Sequence, residues 1–488
     1  MRYRARPLAI VTALGLAGCT TVGPDYQSPG LDPAIAANWI EPGDPGPVDT
    51  AWWARFDDPV LSSLIERLLT DSPDIAEASA RLRQARANRD AVFGRALPQV
   101  DLTASATENR ISEKGQLPLS NIPGYSPEFS LFDIGFDANW EIDFWGRQIR
   151  SRQAAEARLE SAIEARRDVI VQLIGELARA YVDLRQAQAE ARVARGAAGA
   201  AAELERLTRL RYEAGESSRI EVTEATTNAR VQREAIFRRE ASARSAAYRI
   251  ATIIGIAPES ILPDLVVDAP IPRAPDTILV GLRSDLLARR PDVRRAERDL
   301  AAHVADIGVA TADLYPRFSV LGGLGFQSQS FDDLASGKTL RFSIGPSFSW
   351  PVFSGGRIRA QIRAAGAEAD TAAARFERSV AEALSETEDA INGFQAAGRR
   401  LQAAREAAAA AETTFRLAES RYRAGEDDRL ALERQRLQFL ETVRLVALSE
   451  ADRASSAATL YKALGGAWIG LDEAELGDPH YEAEAPSE

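Results

Sequence analysis

Two stretches of this chain carry the same junction at a fixed distance, and that repeat limits the fold more than any other feature. In residues 132–144, Phe132, Ile134, Phe136, Ala138, Trp140, Ile142 and Phe144 alternate with Asp133, Gly135, Asp137, Asn139, Glu141 and Asp143. Strict period-two alternation is the mark of a strand with one apolar and one polar face. At Gly146-Arg147 it stops, and an Ala/Arg/Glu/Gln-rich run begins that reads as helix. Downstream, Leu340, Phe342, Ile344, Phe348, Trp350 and Val352 alternate with Arg341, Ser343, Gly345, Ser347 and Ser349, leaving through Gly355-Gly356-Arg357. From Trp140 to Trp350 and from Arg147 to Arg357 the offset is the same 210 residues. The chain is an internal duplication of one elongated unit.

The helical runs repeat too. Ile170, Ile174, Leu177, Tyr181 and Leu184 step by 4, 3, 4, 3, the seam of helices packed nearly parallel, and Val380, Leu384, Thr387, Ile391 and Phe394 repeat those steps. The runs break at residues 211–216 (Arg-Tyr-Glu-Ala-Gly-Glu) and 421–426 (Arg-Tyr-Arg-Ala-Gly-Glu). Gly215 and Gly425 suit a left-handed helix end, and Ser217/Ser218 and Asp427/Asp428 suit the cap of the next helix. The returning helices end at Gly255 and Gly465. Ser72-Pro73-Asp74 reads as a capping Ser, a first-turn Pro and an acid at the positive helix end, and Pro291-Asp292 restarts the same programme. A helix over 147–212 is about 99 Å long, and those over 73–96 and 219–254 sum to about 90 Å, so two stacked short helices match one long one.

The N-terminus is a targeting segment: Arg2, Arg4 and Arg6, then an apolar stretch over 8–16 too short to span a bilayer, ending in Leu16-Ala17-Gly18-Cys19. Small residues before the chain's single cysteine fit a bacterial lipoprotein box. Acylation would give that lone thiol a role that no disulfide partner can. The expected division is 1–18 signal peptide; 19–72 lipid-anchored N-terminal periplasmic arm with Trp52, Trp53 and Phe56 as anchors; 73–255 first repeat with a strand hairpin over 99–144; 256–290 Pro-rich linker or equatorial segment; 291–465 second repeat with a hairpin over 317–353; and 466–488 tail. No stretch of 18 consecutive apolar residues follows the signal, so any membrane span must be built of strands. Four strands of roughly 10–13 residues can each cross a tilted bilayer thickness, but four cannot close. Two chains would give 8 strands with a filled interior, and three would give 12 with room for a channel. Asp133, Asp137, Asp143, Ser343 and Ser347 suit a wet lumen, and Trp140 and Trp350 the interfacial belt. The alternative reading is a lipid-anchored periplasmic coiled-coil scaffold without a pore.

At this point the residues resemble a known family. Val22-Gly23-Pro24-Asp25-Tyr26, Trp52-Trp53, the block 140–147, Trp350-Pro351-Val352-Phe353 with Gly355-Gly356-Arg357, the paired Arg-Tyr-x-Ala-Gly tips and residues 461–466 are similar to the lipoprotein members of the TolC-like outer-membrane efflux factors. The resemblance covers essentially the whole chain. It implies a mainly α protein with a small β part: a homotrimer with a 12-stranded transmembrane β-barrel, four strands per chain, on a long periplasmic α-helical coiled-coil barrel. It implies a passive exit duct in the outer membrane, fed by an inner-membrane transporter through a periplasmic adaptor (membrane fusion) protein. Diacylglycerol and an N-acyl chain on Cys19 would be the only attached group. By the same resemblance the tips, with Arg211, Tyr212, Gly215, Arg421, Tyr422 and Gly425, dock the adaptor and gate the duct. Some members place acidic rings beyond the second tip; Ala431 and Arg434 stand there in this chain, with Asp427 and Asp428 earlier, as constriction candidates or as caps.

Catalysis is not expected. His303 and His480 are the only histidines, and no phosphate-binding loop or Ser-His-Asp arrangement is present. Gly322, Gly323 and Gly325 fit close backbone approach in a strand better than a ligand loop. A net charge of −12 disfavours nucleic acid as a partner, and a mature chain without methionine disfavours soft metals as cargo.

Overall fold

The computed structural model describes residues 21–29, 39–41, 43, 44, 46–112, 126–466 and 468. Its elements, in order, are α1 (Pro59–Asp71), α2 (Pro73–Gly94), β1 (Gln99–Arg110), β2 (Glu128–Ile142), α3 (Arg147–Glu213), α4 (Arg219–Ile254), α5 (Leu262–Val266), α6 (Arg283–Arg289), α7 (Pro291–Ala312), β3 (Arg317–Ser328), β4 (Leu340–Ser349), α8 (Arg357–Arg423) and α9 (Arg429–Ala463). The long helices α3 and α8 have 67 residues each and start and stop 210 residues apart. The duplication read from the junctions therefore extends over whole elements.

The chain divides into two compact units. One takes in the described residues among 21–29, 82–162 and 296–376 and contains the sheet. Its four strands are antiparallel in the order β1-β2-β3-β4, so the two hairpins join through β2 and β3. Both hairpins stop short of the full alternation. β2 ends at Ile142, where Phe144 N–H donates back to the Ile142 carbonyl, and β4 ends at Ser349, where Val352 N–H donates to the Trp350 carbonyl. Pro351 lacks the N–H that would carry β4 further.

The other unit takes in the described residues among 39–81, 163–295 and 377–468 and holds the main apolar core. The α3 seam of Ile170, Ile174, Leu177, Tyr181 and Leu184 is buried throughout. Tyr181 keeps its place there because its hydroxyl donates to Asp58, 3.0 and 2.9 Å away, whose carboxylate also caps α1 through Val60 and Leu61 N–H. In the second copy Thr387, fully buried, returns its hydroxyl to the Ala383 carbonyl at 2.8 Å. Trp52 stacks on Tyr461 with ring centroids 5.2 Å apart, tying the N-terminal arm to α9.

Helices meet end to end in this unit. Gly255 closes α4 at φ 84, and a Cβ there would stand 2.0 Å from the Pro73 ring. Gly465, past α9, lies against Arg290, just before α7. Only glycine provides both the left-handed turn and the room. One sequence expectation fails here. Ser72 does not cap α2: its hydroxyl is buried without a hydrogen-bond partner, and its N–H closes α1 on the Leu68 carbonyl. A joint of one residue between α1 and α2 leaves its side chain facing the core. The Pro-rich stretch over 256–290 is packed on the core through Ile261, Leu265, Ile278 and Val280.

Candidate functional site

The register sorts every strand residue onto one of two faces. Leu102, Phe136, Leu324 and Phe342 lie side by side across the sheet, as do Val100, Ala138, Gly322 and Ile344, and Trp140 sits beside Val320. This face is apolar over all four strands and open: Leu102, Phe136 and Leu324 are more than half exposed, and Phe342 and Ile344 are each 74% exposed. An apolar face of this size on a soluble surface would be a liability.

The opposite face is polar and internally bonded. Asp133 on β2 accepts from Arg341 Nη2 at 2.6 Å and Nε at 2.9 Å, reaching across β3, and from Gln327 at 2.7 Å. Thr103 donates to Asp137 at 2.8 Å. The Arg341 guanidinium fits because Gly135, Gly323 and Gly325 leave a trough beneath it: a Cβ on Gly325 would stand 2.4 Å from the Ile134 carbonyl, and one on Gly135 3.4 Å from Arg341. The glycine cluster thus serves close approach.

Trp140 near the end of β2 and Trp350 just past the end of β4 make equivalent contacts. Each indole N–H donates to the carbonyl of a residue just after the helix preceding its hairpin, Trp140 to Ala96 at 3.1 Å and Trp350 to Leu314 at 3.0 Å. The rings are half exposed. Their partners were not visible in the sequence, since each bond spans a whole strand.

Thr21 to Pro29 form a docked strap in the same unit. Arg150, buried in α3, donates to the carbonyls of Val22 (3.1 Å) and Gly23 (3.2 Å) and to Asp25 (2.7 Å). Gly23, at φ 87, lies against Gly308, and Gly146 against Thr21. Tyr26 and Ser28 both donate to Glu297 at 2.8 Å, and burial pushes the Tyr26 phenol up to about 12. Cys19 lies outside the described residues.

The tips, in the other unit, are paired helix ends of one design. Gly215 N–H donates to the Tyr212 carbonyl and Glu216 N–H to that of Arg211; Gly425 and Glu426 repeat this on Tyr422 and Arg421. Such a closure needs a left-handed residue, and Gly215 and Gly425 have φ 80 and 74. Tyr212 and Tyr422 are exposed beside them. Ser218 caps α4 in a reciprocal box with Glu221, whose carboxyl the Ser217 hydroxyl holds below its usual range. Asp428 caps α9, its carboxylate accepting from Ala431 N–H at 2.7 Å, while Asp427 pairs with Arg421 at 3.0 Å. Arg211 has only a distant partner, Glu216 at 3.9 Å. Each of the two acids proposed for a constriction therefore already has a local partner. Sequence reasoning missed Arg429, which reaches Glu203 of α3 at 3.0 Å and links the tips; Arg206 beside it holds the Glu203 carboxyl low. Among the described residues no group of three His, Cys, Asp or Glu side chains is placed to hold a metal ion.

The model of the outer membrane efflux protein family matches this chain over residues 64–256 and 282–466. Nodulation protein T of Rhizobium leguminosarum bv. trifolii is 30% identical over 390 residues, 79% of this chain and 81% of its own. The pyoverdine export outer membrane protein OpmQ of Pseudomonas aeruginosa is 30% identical over 466 residues, 94% of this chain and 97% of its own. The solved structure of the outer-membrane channel OprN superposes with a TM-score of 0.82 at 35% identity, covering 92% of this chain and 99% of that one. The Campylobacter jejuni channel CmeC shares the fold, with a TM-score of 0.81 at 21% identity. The four-stranded sheet, the paired long helices and these likenesses agree: the chain belongs to the outer membrane efflux protein family.

Proposed function

We propose that three copies of this chain form the outer-membrane duct of a tripartite efflux system. The observation that carries the reading is the open sheet, apolar and exposed on one face, polar and hydrogen-bonded on the other. In lipid, unpaired strand edges cost several kcal/mol per orphaned group, so β1 and β4 must pair beyond the chain. Three copies give 12 strands and a polar lumen wide enough to conduct. On this reading Trp140 and Trp350 lie at the bilayer interface, where an indole bonded at its polar edge can leave its rings in the lipid. OpmQ is named for pyoverdine export. Small organic molecules are accordingly the proposed cargo class, delivered by an inner-membrane transporter through a periplasmic adaptor. The reading keeps 1–18 as signal peptide, 466–488 as tail and Cys19 as the lipid carrier.

The strap supports the lipid assignment, since it pins the chain two residues after Cys19 against Gly146, four residues past the end of β2. Mass spectrometry of the mature N-terminus tests it and should show Cys19 with diacylglyceryl and N-acyl additions. Sedimentation in detergent should give three chains. An unmodified Cys19, or a monomer, would overturn the corresponding part.

The tips are the proposed adaptor-docking and gating elements. Gly425 has nothing within 4 Å of a would-be Cβ, so Gly425→Val costs only its left-handed backbone, about 1–2 kcal/mol. The variant should still yield folded trimers, yet lose most export because the turn can no longer hold its shape. Gly425→Asn, which tolerates that conformation, should retain it. Equal export by the Val variant, measured as accumulation of a fluorescent cargo, would remove the tip from the docking role.

A further inference from the structure

A groove that recurs in both repeats of the helical unit is plugged in one and open in the other. In the second repeat Arg453 of α9 turns into the groove against α8. Its guanidinium lies 3.2 Å from the centroid of the Phe394 ring and donates to the Phe394 carbonyl and, at 2.8 Å, to that of Asp276. Gly398 makes the room, since a Cβ there would stand 3.1 Å from Arg453 Nη1. In the first repeat, 210 residues earlier, Ala243 stands for Arg453, Leu184 for Phe394 and Gln188 for Gly398. Alanine cannot reach across, and a cavity of about 290 Å³ remains between α3, α4 and α5, walled by Leu184, Ala243, Ala247, Leu262 and Leu265.

The arginine is not lost from the first repeat but moved by one position. α4 reads Ser242-Ala243-Arg244-Ser245 where α9 reads Asp452-Arg453-Ala454-Ser455. One residue is about 100° around a helix, so Arg244 stands exposed at the edge of the cavity instead of filling it. The other charges there are already matched: Glu240 pairs with Arg195 at 2.7 Å and Asp268 with Arg192 at 2.8 Å. Gln188 is engaged at both ends, accepting from Arg185 and donating to the Leu265 carbonyl, each at 2.8 Å. Arg244 has no ion pair among the described residues.

We infer that this cavity is a binding site for a small organic anion with an apolar body, its charged group at Arg244 and its body among Leu184, Ala247 and Leu265. A cation finds no unpaired carboxylate here, and the volume, at the low end for ligand pockets, suits a single ring or a short alkyl chain. The site is complete within one chain, so it goes beyond the duct reading and does not depend on the number of copies. A ligand seated there touches α3, α4 and α5 at once and adds stability to their joint as the site fills.

Binding of 4-(trifluoromethyl)benzoate to the purified full chain, read by fluorine NMR against a detergent-only blank, tests the site, with 4-(trifluoromethyl)benzamide as the neutral probe. The benzoate should bind saturably and more tightly than the benzamide. Arg244→Gln, an exposed change that leaves the core untouched, should weaken benzoate binding about tenfold, the loss expected for one charge-assisted contact, and leave the benzamide where it was. Ala243→Arg, which copies the second repeat, should remove binding of both, with the helical circular dichroism signal showing that the fold is kept. No saturable binding by the parent chain, benzoate affinity unmoved by Arg244→Gln, or binding that survives Ala243→Arg in a folded chain would each overturn the site. None of these results touches the duct reading, which current steps in bilayers judge separately.

Discussion

Ile344→Arg should abolish insertion into the outer membrane, while Ser347→Arg, three residues along the same strand, should leave it intact. Ile344 is 74% exposed in the middle of the apolar face, beside Gly322, whereas Ser347 lies on the polar face beside Ser319. An arginine facing lipid near the midplane of a strand barrel costs about 2–4 kcal/mol, and the proposed three-copy barrel would contain it three times. On the lumen face the same side chain meets water. The contrast separates a membrane barrel from a soluble sheet, because on a soluble sheet Ile344→Arg would reduce a sticky patch and raise the yield. Outer-membrane fractionation of the two variants, with heat-modifiable migration as the sign of a formed barrel, reads the outcome. Equal insertion of both would mean that this face does not meet lipid.

Trp52→Ala should be the most destabilising single truncation in the helical unit, by about 3–5 kcal/mol. Trp52 is 1% exposed, stacks on Tyr461 and packs edge-on against Trp53 and Phe56. Its indole N–H is buried without a partner. Trp52→Phe removes that orphaned donor, which offsets part of the lost ring area, about 1–3 kcal/mol for a buried unsatisfied group. Alanine should therefore lower the thermal midpoint of the helical circular dichroism signal far more than phenylalanine does. Similar midpoints for the two would show that the arm contributes little to the core.

The strands, the long helices and the tips were legible because each leaves a periodic or positional trace. Alternation marked the faces that the register shows at Phe136 and Phe342, and a glycine after Arg-Tyr-x-Ala marked the turns at Gly215 and Gly425. What the sequence could not show is what depends on partners far along the chain. Trp140 bonds Ala96, Arg341 bonds Asp133 across an intervening strand, and Arg150 gathers the strap at Val22 and Gly23. A local pattern also misleads when two functions compete for one residue. Ser72 carries the sequence of a helix cap, but the short joint between α1 and α2 turns its hydroxyl inward. Asp427 and Asp428 suited either a charged constriction or a cap, and in the folded chain Asp428 caps α9 while Asp427 pairs with Arg421.

Single-channel recording of the purified protein in planar bilayers tests the central claim most directly. A three-copy duct predicts discrete, reproducible current steps from the trimer, retained by Ser347→Arg and absent from preparations of Ile344→Arg. A folded, membrane-bound protein that never conducts, at any applied voltage, would contradict the duct and leave a lipid-anchored helical scaffold in its place.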